Sequence, residues 1–207
     1  MTGKIDFKRQ LKHLYAPPAG RFVIVDVPAM NYLMVDGHGD PNTANAYREA
    51  VEWLYSVSYP LKFMSKKELG RDYSVMPLEG LWWASDMDAF ISRQKDKWSW
   101  TMMIMQPDWI TPAMVEAAVA KAKAKRGDPP KSLRLEPLAE GLCVETMHVG
   151  AYDEEGPVLA RLHREFLPQN GLAETGHHHE IYVGDPRKTA PERLKTVLRQ
   201  PVRRIAG

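Results

Sequence analysis

The chain carries one cysteine, Cys143, in 207 residues. One thiol closes no internal disulfide, so the fold rests on its core and suits a reducing compartment. Cys143 stands in an apolar, strand-like run and reads as a small buried hydrophobe; nothing beside it argues for a nucleophile. Long apolar runs are missing as well. None approaches the ~18 residues of a membrane-spanning helix. The opening Met1-Thr-Gly-Lys-Ile-Asp-Phe-Lys8 lacks the apolar segment of a signal peptide. The expected location is therefore the cytoplasm, with no membrane partner. An excess of charge is also absent. The net charge of +2 gives no electrostatic case for nucleic acid or for acidic membrane. No phosphate loop or dinucleotide fingerprint occurs; Gly37-His-Gly39-Asp lacks the order they need and reads as a turn. Ser56, Ser58 and Ser74 sit in no nucleophile-elbow context.

What is plentiful is aromatic and thioether surface: six Trp, eight Tyr and eleven Met. Such side chains build binding walls, although core packing is the ordinary role of any one of them. The apolar fraction of 44% and charged fraction of 26% are those of a globular protein. The length suits one large domain or two small repeats.

Residues 1–20 look polar and extended, with an Ala16-Pro-Pro-Ala-Gly20 stop. Phe22–Val27 and Tyr32–Val35 read as strands, and Gly37–Asn42 as a turn. Asn42 or Thr43 caps a helix to about Ser58, with Ala46, Ala50, Trp53, Leu54 and Val57 on one side. Strands follow at 61–64, 73–76, 81–84 and 98–105. Thr111-Pro112 opens a helix that Gly127 ends. The second half repeats the order, with strands at 133–137 and 141–149 and a helix from Asp153 or Glu154 through Phe166. A strand at 178–183 and a helical turn at 189–192 come next. A strand at 196–202 closes the sheet, and Pro201 there points to an edge. Met34-Val-Asp-Gly37 and Met147-His-Val-Gly150 each precede a helix, a trace of internal duplication. The expected fold is α+β: two pseudo-twofold repeats, an antiparallel sheet, two main helices and a central ligand cleft.

Two segments carry the chemistry, Met76-Pro-Leu-Glu79-Gly-Leu-Trp82-Trp83 and His177-His-His-Glu180-Ile-Tyr182. Each sets a carboxylate among aromatic rings, where charge is costly unless a cation, a donor or a proton meets it. Alternation puts His178, Glu180 and Tyr182 on one face and sends Trp82 and Trp83 to opposite faces. Glu180 is thus a candidate general acid or base, or the anchor of a lipophilic cation. The plainer alternative is an exposed Glu180 ion-paired with Arg187 or Lys188. A strand splits His177-His178-His179 two to one, so they cannot share one metal ion, and no metal is expected. The basic run Lys121–Arg126 suits a helix C-terminus.

Tyr32-Leu-Met-Val-Asp-Gly-His-Gly-Asp-Pro41, Pro77-Leu-Glu-Gly-Leu-Trp-Trp83 and His178-His-Glu-Ile-Tyr-Val-Gly-Asp-Pro186, with the sequence on to Val202, together resemble the GyrI-like small-molecule-binding proteins. The likeness covers nearly the whole chain. It is closest to the stand-alone branch that carries the double tryptophan. The resemblance implies one domain over 1–207, with an N-terminal extension at 1–20 and repeats at 21–127 and 131–207. It implies a pocket for hydrophobic aromatic or cationic small molecules, and no cofactor. For the stand-alone branch it implies hydrolysis of cyclopropanoid cyclohexadienones, which would detoxify DNA-alkylating compounds. Carried over, Glu180 becomes the acid/base or water-activating residue, and Tyr182 the hydrogen-bonding partner of substrate or water. Trp82 and Trp83 become the aromatic wall, Glu79 a second pocket carboxylate, and Tyr152 a further ligand contact. The alternatives are a non-catalytic module that binds or senses lipophilic cations, and an inhibitor of a macromolecular partner. About twenty residues precede the first strand, too few for a helix-turn-helix domain.

Overall fold

In chain order the elements are α1 (Phe7–Gln10), α2 (Lys12–Tyr15), β1 (Val23–Val27), β2 (Met30–His38), α3 (Asn45–Glu68), β3 (Glu79–Ala84), β4 (Trp98–Gln106), α4 (Pro112–Arg126), β5 (Arg134–Leu138), β6 (Gly141–Val149), α5 (Gly156–Arg161), β7 (Leu172–Glu174), β8 (His178–Tyr182) and β9 (Lys195–Arg204). They come from a computed structural model that describes residues 3–84 and 94–205. The chain divides into two units. One is Met30–Leu138 with the start of the chain to Phe7; the other is Lys8–Ala29 with Ala139–Gly207. Both are α+β with antiparallel strands, as the alternating pattern leads one to expect. No helix among the described residues is long and apolar enough to cross a membrane.

In the first unit the strand order is β3-β4-β2-β5. Strand β4 is paired on both sides and buried from Trp100 to Gln106. A strand covered on both faces needs a continuous apolar run, which is what Trp100-Thr-Met-Met-Ile-Met105 supplies. Gly37, Trp100 and Trp82 form one cross-strand row on the face that α3 covers. The Trp100 indole lies across Gly37, where a Cβ would stand 2.1 Å from the ring. Gly37 is therefore a strand residue that makes room for an indole. The expected turn starts two residues late, at Gly39, with φ +101°.

The expected break of the first helix at Ser58, with a strand at 61–64, is not found. Helix α3 runs on through Pro60 to Glu68. The proline removes one backbone donor, but Leu61 and Ser65 continue the buried face of Ala50, Trp53, Leu54 and Val57. Burial along that face outweighs the local break. The strand expected at 73–76 reduces to one bridge between Ile5 and Tyr73. Helix α4 starts and stops as expected. Thr111 Oγ1 accepts from the Met114 amide at 3.3 Å, and Gly127 ends the helix with φ +82°.

The second unit orders its strands β1-β6-β9-β8, with β7 on the far end of β9. The edge position expected for 196–202 is overturned. Strand β9 pairs with β6 along one side and with β8 and then β7 along the other. Pro201 fits because the β8 pairing ends at Arg199 and the β7 pairing begins at Val202. Its missing N–H therefore costs no bond on that side. The helical stretch begins with a turn at Tyr152–Glu154, continues as α5, and passes through a π-helical turn at Leu162–Phe166. Leu162 and Leu167 pack on Val144, Leu172 and Val202. The first twenty residues are not extended throughout. Helices α1 and α2 form there, because Leu14 and Tyr15 of α2 are buried.

Candidate functional site

Strand β8 is regular, so its alternation holds. His178, Glu180 and Tyr182 stand on one face, and His179 on the other. The Tyr182 hydroxyl donates to Glu180 Oε2 at 2.8 Å. His178 Nε2 lies 3.5 Å from Glu180 Oε1. Both carboxylate oxygens thus face a neighbour, while the side chain keeps 15% of its surface open. The exposed-Glu180 alternative fails on this count. Arg187 instead forms a two-pronged contact with Asp185, at 3.0 Å for each bond.

Tyr152, in the turn that opens the helical stretch, meets the Tyr182 ring edge-on, with centroids 5.5 Å apart. Burial pushes its phenol up to about 12, and Glu155, Glu180 and Asp185 add to the effect. Tyr152 therefore stays a proton-bearing donor at neutral pH. Thr196 is a residue the sequence did not single out. It sits directly across from Tyr182, fully buried, and its hydroxyl finds no hydrogen-bond partner among the described residues. Its signal lies in strand pairing, which periodicity does not specify.

The other face of β8 holds a charge cluster. His179, Arg199 and Glu145 form a cross-strand row. Arg199 Nε donates to Glu145 at 2.5 Å and Nη1 to Glu140 at 2.7 Å. Its Nη2 donates to the Leu14 carbonyl at 3.2 Å. His179 Nδ1 lies 3.0 Å from Glu140. The histidine run is therefore divided between the two faces. Burial alone would raise Glu140, but His179 and Arg199 outweigh it and bring its carboxyl down to about 2. Burial pushes Glu145 up to about 6, with Arg199 offsetting only part of the effect.

The signs of these shifts make opposite statements about stability. Glu140 contributes stability that is present above its ordinary 4.5 and is lost as pH falls toward about 2. Glu145 holds its proton longer folded than unfolded. Its contribution is present below 4.5 and is lost as pH rises through about 6. Melting curves of wild type and Glu145→Gln should therefore diverge as pH rises through this window, with wild type losing about 2 kcal/mol relative to the variant. Parallel curves would show that Glu145 titrates normally.

In the first unit, β3 pairs with β4 without a bulge from Glu79 to Ala84. Gly80 lies in register with Met102, so the glycine introduces no bend. Trp82 points to the helix-bearing face and is 4% exposed. Its ring stacks near Tyr47 at 6.1 Å and meets Trp98 edge-on at 5.8 Å. Trp83 is half-buried on the opposite face, which it shares with Glu79. Glu79 is fully buried. The structure thus brings Glu180, Tyr182 and Tyr152 together in one unit, and Trp82 with Tyr47 and Trp98 in the other. It separates Trp82 from Trp83 and Glu79 by the thickness of the sheet.

Residues 21–203 match the GyrI-like small molecule binding domain. An uncharacterised conserved protein from Listeria innocua is 41% identical, with a TM-score of 0.88 over 97% of this chain and 100% of its own. A hydrolase from the same organism is 40% identical, with a TM-score of 0.81 over the same shares. The EcmrR C-terminal domain shares the fold at 11% identity, with a TM-score of 0.57 over 89% of this chain and 98% of its own. No curated protein sequence matches the chain.

Proposed function

The chain belongs to the GyrI-like small molecule binding domain family, and from that premise we propose that it is a hydrolase of cyclopropanoid cyclohexadienones or related electrophilic aromatic compounds, protecting against genotoxic agents. The observation that carries this reading is the Tyr182–Glu180–His178 row, a carboxylate held at one oxygen by the Tyr182 hydroxyl, with His178 3.5 Å from the other and part of its surface still open. The similar Listeria innocua hydrolase supports a hydrolytic chemistry.

In this proposal Glu180 takes a proton from water as the water oxygen bonds to a cyclopropane carbon. The ring carbon–carbon bond breaks, and its electron pair passes into the dienone, which becomes aromatic. The dienone oxygen collects a proton and becomes a phenol that stays part of the product, and Glu180 returns the proton it took from water to solvent, so that the product has gained one water. Ring strain already lowers the barrier, so orientation of water and a donor for the oxygen suffice. Tyr182 gives its hydrogen bond to Glu180 and so holds the base in place. Tyr152, still protonated, is the donor for the dienone oxygen. Tyr152→Phe should lower kcat by about a hundredfold. An unchanged kcat would remove Tyr152 from the reaction.

Trp82 takes the aromatic role in preference to Trp83. It stands on the helix-bearing face of its sheet, gathered with Tyr47 and Trp98. Glu79 and Trp83, on the reverse face, are then structural. A second reading is non-catalytic capture of lipophilic cations, which the two tyrosine rings beside a carboxylate also favour. The deciding experiment is incubation with a cyclopropanoid cyclohexadienone, followed by mass spectrometry. A product heavier by one water supports the hydrolase. Unchanged compound, together with quenching of tryptophan fluorescence by a lipophilic cation, supports the binding module instead.

A further inference from the structure

Helix α3 is apolar on two sides. Ala50, Trp53, Leu54, Val57 and Leu61 are buried. Around the other side Tyr55, Tyr59 and Phe63 follow at four-residue steps, which aligns them in one column. Tyr59 is 50% exposed and Phe63 is 60% exposed. The Tyr55 and Tyr59 rings stack 6.1 Å apart. Adjacent large rings held in water on a rigid helix form a patch, and patches mark interaction surfaces. Core packing cannot explain them, because the core is served by the opposite face.

Charge at the two ends of the column identifies what covers it. Glu52 stands before Tyr55 and Lys66 after Phe63, with side chains 46% and 60% exposed. The series Glu52, Tyr55, Tyr59, Phe63, Lys66 complements its own reversal. An antiparallel second helix centred on Tyr59 would set Tyr59 on its own counterpart and Tyr55 on Phe63 of the second copy. Glu52 would meet Lys66 of the second copy at both ends. Such a contact is isologous and closes on itself, and opposed helix dipoles favour it. Glu52 already meets Arg126 at 2.7 Å, and Lys66 meets Asp72 at 3.1 Å. These are exposed pairs of small individual worth, and each charge has room for another neighbour.

We propose that the outer face of α3 is the surface on which two copies of this chain associate, antiparallel about Tyr59. The column from Glu52 to Lys66 is only about 21 Å long. Association is accordingly weak, with a Kd on the order of micromolar. This proposal is independent of the hydrolase reading.

The test is sedimentation velocity on the full chain over about three decades of concentration around the micromolar range. Wild type should pass from monomer to dimer. Tyr59→Glu should weaken association at least about tenfold, with an unchanged melting temperature, because the ring is half in water already. Glu52→Lys and Lys66→Glu should each weaken it by about tenfold, and the double exchange should bring it back. A monomer at every concentration would overturn the proposal. So would a dimer indifferent to Tyr59→Glu, or a double exchange that restores nothing. A monomer that uses Tyr59 and Phe63 to bind phospholipid vesicles would assign the face to a membrane instead, which also overturns it.

Discussion

Glu180→Gln is expected to cut turnover of a cyclopropanoid dienone by about two to four orders of magnitude while leaving binding of neutral ligands intact. The size follows from the role. The amide still accepts the hydrogen bond that Tyr182 gives at 2.8 Å, so the side chain stays where it is. What it loses is the capacity to take a proton from water. The loss should fall on kcat, with KM within about twofold, because the substitution touches the transition state and not the hold on the substrate. Tyr182→Phe should show a milder loss, about tenfold, since the base remains but its second oxygen is no longer pinned. A Glu180→Gln enzyme with full activity would remove this residue from the mechanism.

The second large effect is on stability. Arg199→Met is expected to cost about 3–5 kcal/mol in urea denaturation. Arg199 is fully buried and is the common partner of Glu140 and Glu145. Its removal strands Glu145 in the interior and leaves Glu140 to His179 alone, and the loss of its bond to Leu14 unfastens α2. Breaking such a group is far costlier than never having it. A variant that replaces Glu140, Glu145 and Arg199 together with apolar residues should recover much of the loss. Arg199→Lys should not rescue, because a single ammonium cannot span the three contacts. A loss below about 1 kcal/mol would mean that water already reaches the cluster.

The β8 face was legible in the sequence for a simple reason. A period of two is a local property, and it placed His178, Glu180 and Tyr182 together without knowledge of any neighbouring strand. The same rule divided Trp82 from Trp83, but it could not say which one turns toward a helix, because that depends on packing. Pairing was the part that stayed hidden. Pro201 marked 196–202 as an edge on local grounds. The strand is interior because its two neighbours on one side change over next to the proline. The helix end expected at Ser58 fails on similar grounds, since the buried row from Ala50 to Ser65 keeps α3 going through Pro60, where propensity would end it. Gly37 read as a turn because its reason is an indole that arrives from β4, far away in sequence.

The most direct measurement is a single turnover of the dienone in heavy-oxygen water, followed by mass spectrometry of both the product and the peptide that contains Glu180. If Glu180 activates water, the heavy oxygen appears in the product alcohol, and the Glu180 carboxylate stays unlabelled. Heavy oxygen in the Glu180 side chain would show that the carboxylate itself attacks the ring and is then released by water, which would contradict the account.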